Sequence, residues 1–362
     1  MKTTLVSTLL GMVLVFAIAC SSDASRAKTI ANDASATPPA AADRQSKLDP
    51  QMKAVLDELA SLGGKPIESL PPEEARKQPA PADAVKSLMK KKGMSTEPEP
   101  VGKTEDRKIG SNPARVYWPK DGKKPYPLVV YYHGGGWVIA DINVYDATPR
   151  AIADQAGAIV ISAEYRHAPE HKFPSAHDDA FAAYKWALAN AKSLGGDPKK
   201  VAVMGESAGG NMAAAVSMMA REQKVQMPIY QALVYPVGQC GRYDSKSYNE
   251  NAMAKPLNKA MMEYFCKNYV SKPEDQDNPH LSIVKAKDLK GLPAATVITD
   301  EIDPLMSEGK QYADMLKDAG VNVEYKNYDG VTHEFFGMGT VVDKAKDAEA
   351  KVASDLRSAF SK

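Results

Sequence analysis

From about residue 101 onward, short apolar runs rich in β-branched residues alternate with longer segments of helical periodicity. The runs are PARVYWP (113–119), PLVVYYH (127–133), AIVISAEY (158–165), KVAVMG (200–205), QMPIYQALVYP (226–236), LPAATVIT (292–299) and VNVEYKNY (321–328). Several lack the alternation of a half-exposed strand and read as strands buried on both faces. Between them the pattern predicts helices over 146–156, 175–193, 207–221, 305–319 and 342–360. Strands alternating with helices imply an α/β fold, a mostly parallel central sheet with helices on both faces. One stretch, 237–290, breaks the alternation and is long enough to lie as an insertion over one edge.

The chain before residue 101 follows different rules. Met52, Val55, Leu56, Leu59 and Leu62 recur at helical spacing, with Asp49-Pro50 as start signal and Gly63-Gly64 as stop. A second short helix is predicted within 71–92, after Pro71-Pro72. Residues 47–100 therefore read as a helical layer apart from a catalytic domain over 101–362. Residues 1–19 combine Lys2 with the apolar run Leu5–Ala19, too short for a comfortable membrane span, and read as a signal peptide. Ala17-Ile18-Ala19-Cys20 resembles a bacterial lipobox, which would make Cys20 a lipid attachment site; ordinary cleavage after Ala19 is the alternative. Residues 20–46 are small, polar and rich in Pro, Ala and Ser, as expected of a disordered tether. The expected location is the cell envelope, as a membrane-anchored lipoprotein or else a periplasmic or secreted protein.

The charge pattern narrows the partners. The net charge is +1, with acids and bases interspersed, and no basic stripe with interleaved aromatics points to nucleic acid. No CxxC or His-rich spacing points to a metal, and no cofactor is expected. Cys240 and Cys266 read as two unpaired core cysteines, with a disulfide as the alternative in an oxidising compartment.

In open α/β sheets ligands bind beyond the carboxyl ends of the strands. Four strand ends carry chemistry: HGGGW (133–137), GESAG (205–209), DEIDPL (300–305) and DGVTHEFF (329–336). GESAG fits G-x-S-x-G, which alone arises by chance in roughly one chain of this length in ten. Ser207 could be a nucleophile on a strained strand-to-helix turn or the N-cap of the following helix. Gly205 and Gly209 allow close chain passage there, and Glu206 sits between. A serine hydroxyl needs a base. Of the six histidines, His133 belongs to the glycine loop and suits a structural hydrogen bond. His167, His171 and His177 suit packing or surface roles, and His280 lies in the irregular stretch. His333 follows the last strand, downstream of Ser207 and of an acid, in the order α/β-hydrolases use. Position alone leaves Asp300, Glu301 and Asp303 competing to orient it, and Asp303-Pro304 also reads as a helix start. The loop Gly134-Gly135-Gly136 lets backbone N–H groups approach a substrate oxygen; Gly134, Gly135 and Ala208 are the expected oxyanion donors.

Together these motifs resemble the hormone-sensitive-lipase-like family of bacterial esterases and lipases. The resemblance rests on HGGGW, EYRHAPEHKFPSAHDDA (164–180), GESAGGN (205–211), DPLMSEG (303–309) and THEFFGM (332–338), and spans about residues 48–360. It implies the α/β-hydrolase fold, Ser207 as nucleophile, His333 as base and Asp303 as acid. It also implies a helical cap from 48–100 with a contribution from 237–290. Departures are Glu206 where the family usually has Asp, His167 for Leu and Glu334 for Gly. The expected activity is metal-free hydrolysis of short-chain acyl esters by a serine carboxylesterase. A lipase, a polysaccharide deacetylase or an amidase would use the same triad, and a catalytically silent binding protein would need none of it.

Overall fold

The computed structural model describes residues 47–362; the expected leader, the tether and Cys20 lie outside the described residues. Eight strands form one sheet: β1 (Lys103–Ile109), β2 (Asn112–Trp118), β3 (Tyr126–Tyr132), β4 (Ile159–Ala163), β5 (Gly196–Glu206), β6 (Tyr230–Val234), β7 (Ala294–Ile302) and β8 (Val323–Thr332). Their order is β1-β2-β4-β3-β5-β6-β7-β8. The β1–β2 and β2–β4 pairs are antiparallel, and all others are parallel.

Ten α-helices accompany the strands among the described residues: α1 (Pro50–Ser61), α2 (Pro72–Ala75), α3 (Pro81–Lys91), α4 (Ala147–Ala156), α5 (Ser175–Asn190), α6 (Ala208–Glu222), α7 (Lys246–Glu250), α8 (Lys259–Tyr269), α9 (Met306–Asp318) and α10 (Asp343–Phe360). Side-chain alternation in the strands divides the core into two layers. Leu128, Val130 and Tyr132 of β3 face one layer with α5, α6 and α9. Val129 and Tyr131 face the other with α4 and α10. Both faces of β3 are therefore apolar, which is why its sequence shows no alternation. Met52 and Val55 of α1 and Ala84 and Val85 of α3 join the second layer.

Strand β1 had no counterpart in the sequence reading, which began the sheet at residue 113. Its sequence, KTEDRKI, buries only Ile109. It is an edge strand whose charges keep other strands from pairing with it, and such a strand carries no apolar signal. The second helix expected within 71–92 is two helices, α2 and α3. Cys240 and Cys266 are disulfide-bonded, with Cα atoms 5.6 Å apart, so the unpaired reading is corrected. Phe265 and Cys266 are both buried, so α8 turns that side onto the segment after β6 and brings the two sulfurs together. The bond closes residues 240–266, which carry α7 and most of α8, into a covalent loop within the 237–290 segment.

Candidate active site

The strand ends place the chemistry. β5 ends at Glu206 and α6 begins at Ala208, leaving Ser207 as the single residue of the turn, with φ 55° and ψ −118°. That conformation is costly for a residue with a Cβ, and packing imposes it. A Cβ on Gly209 would lie 1.9 Å from the Tyr132 carbonyl, and one on Gly205 would lie 2.2 Å from the Gly209 carbonyl. Only glycines let the turn pass this close to the end of β3. Ser207 occupies the N-cap position of α6, yet its side chain makes no capping bond. The cap role expected of its hydroxyl is thus corrected: the strained turn aims Oγ away from the helix, and it lies 2.9 Å from His333 Nε2.

His333 directly follows β8, which runs four residues beyond the apolar stretch read from sequence. Its Nδ1 lies 2.8 Å from Asp303 Oδ2. Asp303 follows β7, and its Oδ1 accepts the Leu305 N–H at 2.8 Å, so it also organises the start of α9. All three residues are buried. Burial lowers the His333 pKa, but the Asp303 carboxylate and its hydrogen bond, with Glu334 and Glu206 adding to them, hold it above the ordinary imidazole value. The other acids take other places. Asp300 is fully buried, and burial and the neighbouring Asp303 push its pKa well up. Glu301 Oε2 accepts the Gly330 N–H at 3.0 Å.

The glycine loop abuts this turn. A Cβ on Gly134 would lie 3.2 Å from Ser207 Cβ, and Gly135 has φ 98°. The Gly134 carbonyl is held by His133 Nδ1 at 2.8 Å and by the Tyr165 hydroxyl at 2.9 Å. A trans peptide points its N–H opposite to its carbonyl, so this anchor fixes the direction of the Gly135 N–H. His133 Nε2 in turn lies 3.0 Å from Glu164 Oε1. His133 thus ties the glycine loop to Glu164. Among the described residues, the N–H groups of Gly134, Gly135 and Ala208 have no acceptor. Gly136 packs against the Phe265 ring of α8.

Glu206 is buried and accepts hydrogen bonds from Tyr131 and Tyr235. Burial, with Glu334 adding to it, raises its pKa to about 7. Glu334 accepts the Tyr145 hydroxyl on both oxygens at 2.6 Å. These three tyrosines carry no motif, and no sequence signal marked them. His177 lies 2.9 Å from Asn211 and 2.7 Å from Tyr269, and burial lowers its pKa to about 4; it has the packing role expected of it. Two clusters bring metal-ligating atoms together, His133–Glu164–His167 and Asp300–Asp303–His333. In the first, Glu164 pairs with both imidazoles at 3.0 and 3.1 Å. In the second, the His333–Asp303 hydrogen bond takes up the ligating nitrogen.

Ser207 and His333 open into a cavity of about 320 Å³. Leu56, Leu59 and Ile67 line it from the N-terminal layer, and Leu257, Met262 and Phe265 from the 237–290 segment. A hydroxyl on an imidazole, free N–H groups beside it and an apolar chamber above suit acyl transfer.

Comparison with known proteins agrees with this chemistry. Residues 129–337 match a family profile described as alpha/beta hydrolase fold. A carboxylesterase of Mycobacterium tuberculosis is 38% identical over 277 residues, 74% of this chain and 86% of the relative. An ethyl acetate hydrolase of Pseudomonas putida is 30% identical over 86% of this chain and 98% of its own. The solved structure of an esterase from Pyrobaculum calidifontis superposes with a TM-score of 0.77 at 37% identity, covering 86% of this chain and 98% of that one.

Proposed function

The chain belongs to the hormone-sensitive-lipase-like family of α/β-hydrolase-fold enzymes and is a carboxylic ester hydrolase, and on that premise we propose that it is a serine carboxylesterase for short-chain acyl esters. The observation that carries the reading is the chain of hydrogen bonds from Ser207 through His333 to Asp303 at the floor of the cavity. Ser207 attacks the ester carbonyl as His333 takes its proton. The N–H groups of Gly134, Gly135 and Ala208 stabilise the oxyanion. Asp303 holds the imidazole in the required tautomer and stabilises its charged form. His333 then protonates the leaving alcohol, and water releases the acid. Residues 47–100 and part of 237–290 act as a cap, a reading supported by the side chains they contribute to the cavity. That cavity, about 320 Å³ and lined mostly by apolar side chains, suits the acyl group of a small ester.

The test is hydrolysis of nitrophenyl esters of increasing chain length by wild type and Ser207→Ala. Wild type favours acetate and butyrate, and the variant loses activity by several orders of magnitude. Equal turnover by the two would sink the assignment of Ser207.

The leader carries a second proposal: the protein is exported and anchored to the cell envelope through a lipid on Cys20. The lipobox-like Ala17–Cys20 supports it, and so does the Cys240–Cys266 bond, since disulfides persist in oxidising compartments. Palmitate-analogue labelling that survives Cys20→Ala would refute the anchor.

A further inference from the structure

Glu334 adopts a conformation that side chains rarely take, and it does so at the reacting centre. The Phe335 N–H donates to the Thr332 carbonyl at 3.2 Å, closing a turn with His333 and Glu334 at its middle positions. Glu334 has φ 72°, a position where such turns favour glycine. Strain of this kind persists where the surroundings over-determine it, and it clusters at functional sites. Here the Tyr145 hydroxyl grips the carboxylate through both oxygens. Tyr145 is itself wedged against the glycine loop, its Oη 2.3 Å from where a Cβ on Gly134 would stand. The carboxylate faces the cavity, and its Oε1 lies 3.8 Å from His333 Nε2. Asp303 holds the opposite nitrogen, Nδ1. Among the described residues, Glu334 is therefore the one carboxylate close to the nitrogen that exchanges protons with substrate.

Two acceptors 3.8 Å apart can share one water, each at about 2.8 Å. Once Ser207 is acylated, the attacking water has two hydrogens to place in a largely apolar chamber. His333 accepts one. We propose that Glu334 accepts the other and is a catalytic residue of deacylation, orienting the hydrolytic water against the acyl-enzyme. This rests on Ser207 being the nucleophile. The water oxygen bonds to the acyl carbon while one proton passes to Nε2. The acyl carbon–Oγ bond then breaks, His333 returns the proton to Oγ, and the carboxylic acid leaves. The carboxylate of Glu334 gains and loses nothing in the cycle. It only accepts a hydrogen bond through Oε1, while Tyr145 keeps the side chain in place.

Methanol supplies the discriminating probe, because it has one O–H and needs only His333. Wild type, Glu334→Gly and Glu334→Gln are given nitrophenyl butyrate with a fixed concentration of methanol, on the pH plateau of each. Butyrate and methyl butyrate are then measured. Both products come from the same acyl-enzyme, so their ratio is independent of acylation and of the fraction of active protein. Glycine suits φ 72°, and fluorophosphonate labelling of Ser207 confirms that the triad is intact. The expected result is a butyrate-to-methyl-butyrate ratio about 10-fold lower in Glu334→Gly, the effect of one hydrogen bond to a charged group. Glu334→Gln, which keeps a neutral acceptor, falls between. An unchanged ratio in a labelled Glu334→Gly overturns the role of Glu334 while leaving Ser207 in place. A wild type that forms no methyl butyrate and takes no label overturns both.

Discussion

The ring of Tyr235 stacks at a tilt 4.6 Å from the imidazole of His333, and its hydroxyl donates to the buried Glu206. One tyrosine thus backs the proposed catalytic base and holds the acid that sits beside the proposed nucleophile in sequence. Glu206 is buried with neutral donors only, and burial raises its pKa to about 7.

A raised carboxyl pKa has a definite sign. The folded protein binds the Glu206 proton more tightly than the unfolded chain. The stability from that proton is complete below the unfolded value and is lost as pH rises towards 7. Glu206→Gln removes the titration, so its unfolding free energy relative to wild type rises between pH 5 and pH 8. The gain is at most about 3 kcal/mol, since each pKa unit is worth about 1.4 kcal/mol. Urea unfolding at the two pH values measures it, and a pH-independent difference contradicts the shift.

In the proposed mechanism His333 acts as a base, which it can do only when neutral. Its pKa is held above the ordinary imidazole value, chiefly by Asp303 against the opposing effect of burial. The acid limb of kcat/KM is therefore expected at a pH above about 6.5. Removing a nearby negative charge makes the imidazolium less stable, so Glu334→Gln moves that limb to lower pH. Asp303→Asn keeps the space filled but no longer holds the tautomer, and turnover falls on the order of 10⁴-fold. A limb that stays put in Glu334→Gln argues against the electrostatic link.

Gly134 has no room for a methyl group, because its Cβ would stand 2.3 Å from the Tyr145 hydroxyl oxygen. Gly134→Ala pushes the glycine loop off its geometry and lowers kcat about 100- to 1000-fold, the cost of one oxyanion donor. The clash is with the end of a side chain, so adding Tyr145→Ala restores part of the lost acylation rate, while Glu334 loses its hydroxyl partner. The nitrophenol burst rates of the single and double variants decide it; no recovery of the burst rate places the fault in the backbone.

The Cys240–Cys266 bond spans a sequence separation of 26 residues. In the chain-entropy model a loop of that size contributes roughly 3–4 kcal/mol. The double variant Cys240→Ala, Cys266→Ala is expected to lose about that much in urea unfolding. Dithiothreitol should bring wild type to the same level and leave the variant unchanged.

The alternation of buried strands and helices, read from apolar periodicity alone, was enough for the layer order and for the strand ends where chemistry gathers. It also marked the two segments outside the sheet. GESAG and HGGG could be read because their function depends on backbone geometry that only particular residues permit, and such constraints leave short local patterns. Strand β1 left none, because an exposed edge selects for charge rather than for burial.

Other features depend on contacts between distant parts of the chain. From position, Asp300, Glu301 and Asp303 competed with only a slight lean to Asp303, and the resemblance settled the choice. In the fold, Asp303 meets His333 Nδ1, Asp300 is buried away from His333's hydrogen bonds, and Glu301 turns to Gly330. The pairing of Cys240 with Cys266 was undecided in the same way. The tyrosines 131, 145 and 235 lie on different elements and converge on two glutamates only when the sheet brings them together. Local sequence determined which backbone shapes were allowed; the tertiary structure decided which side chains met. A hydrogen bond depends on separation in space, and separation along the chain does not encode it.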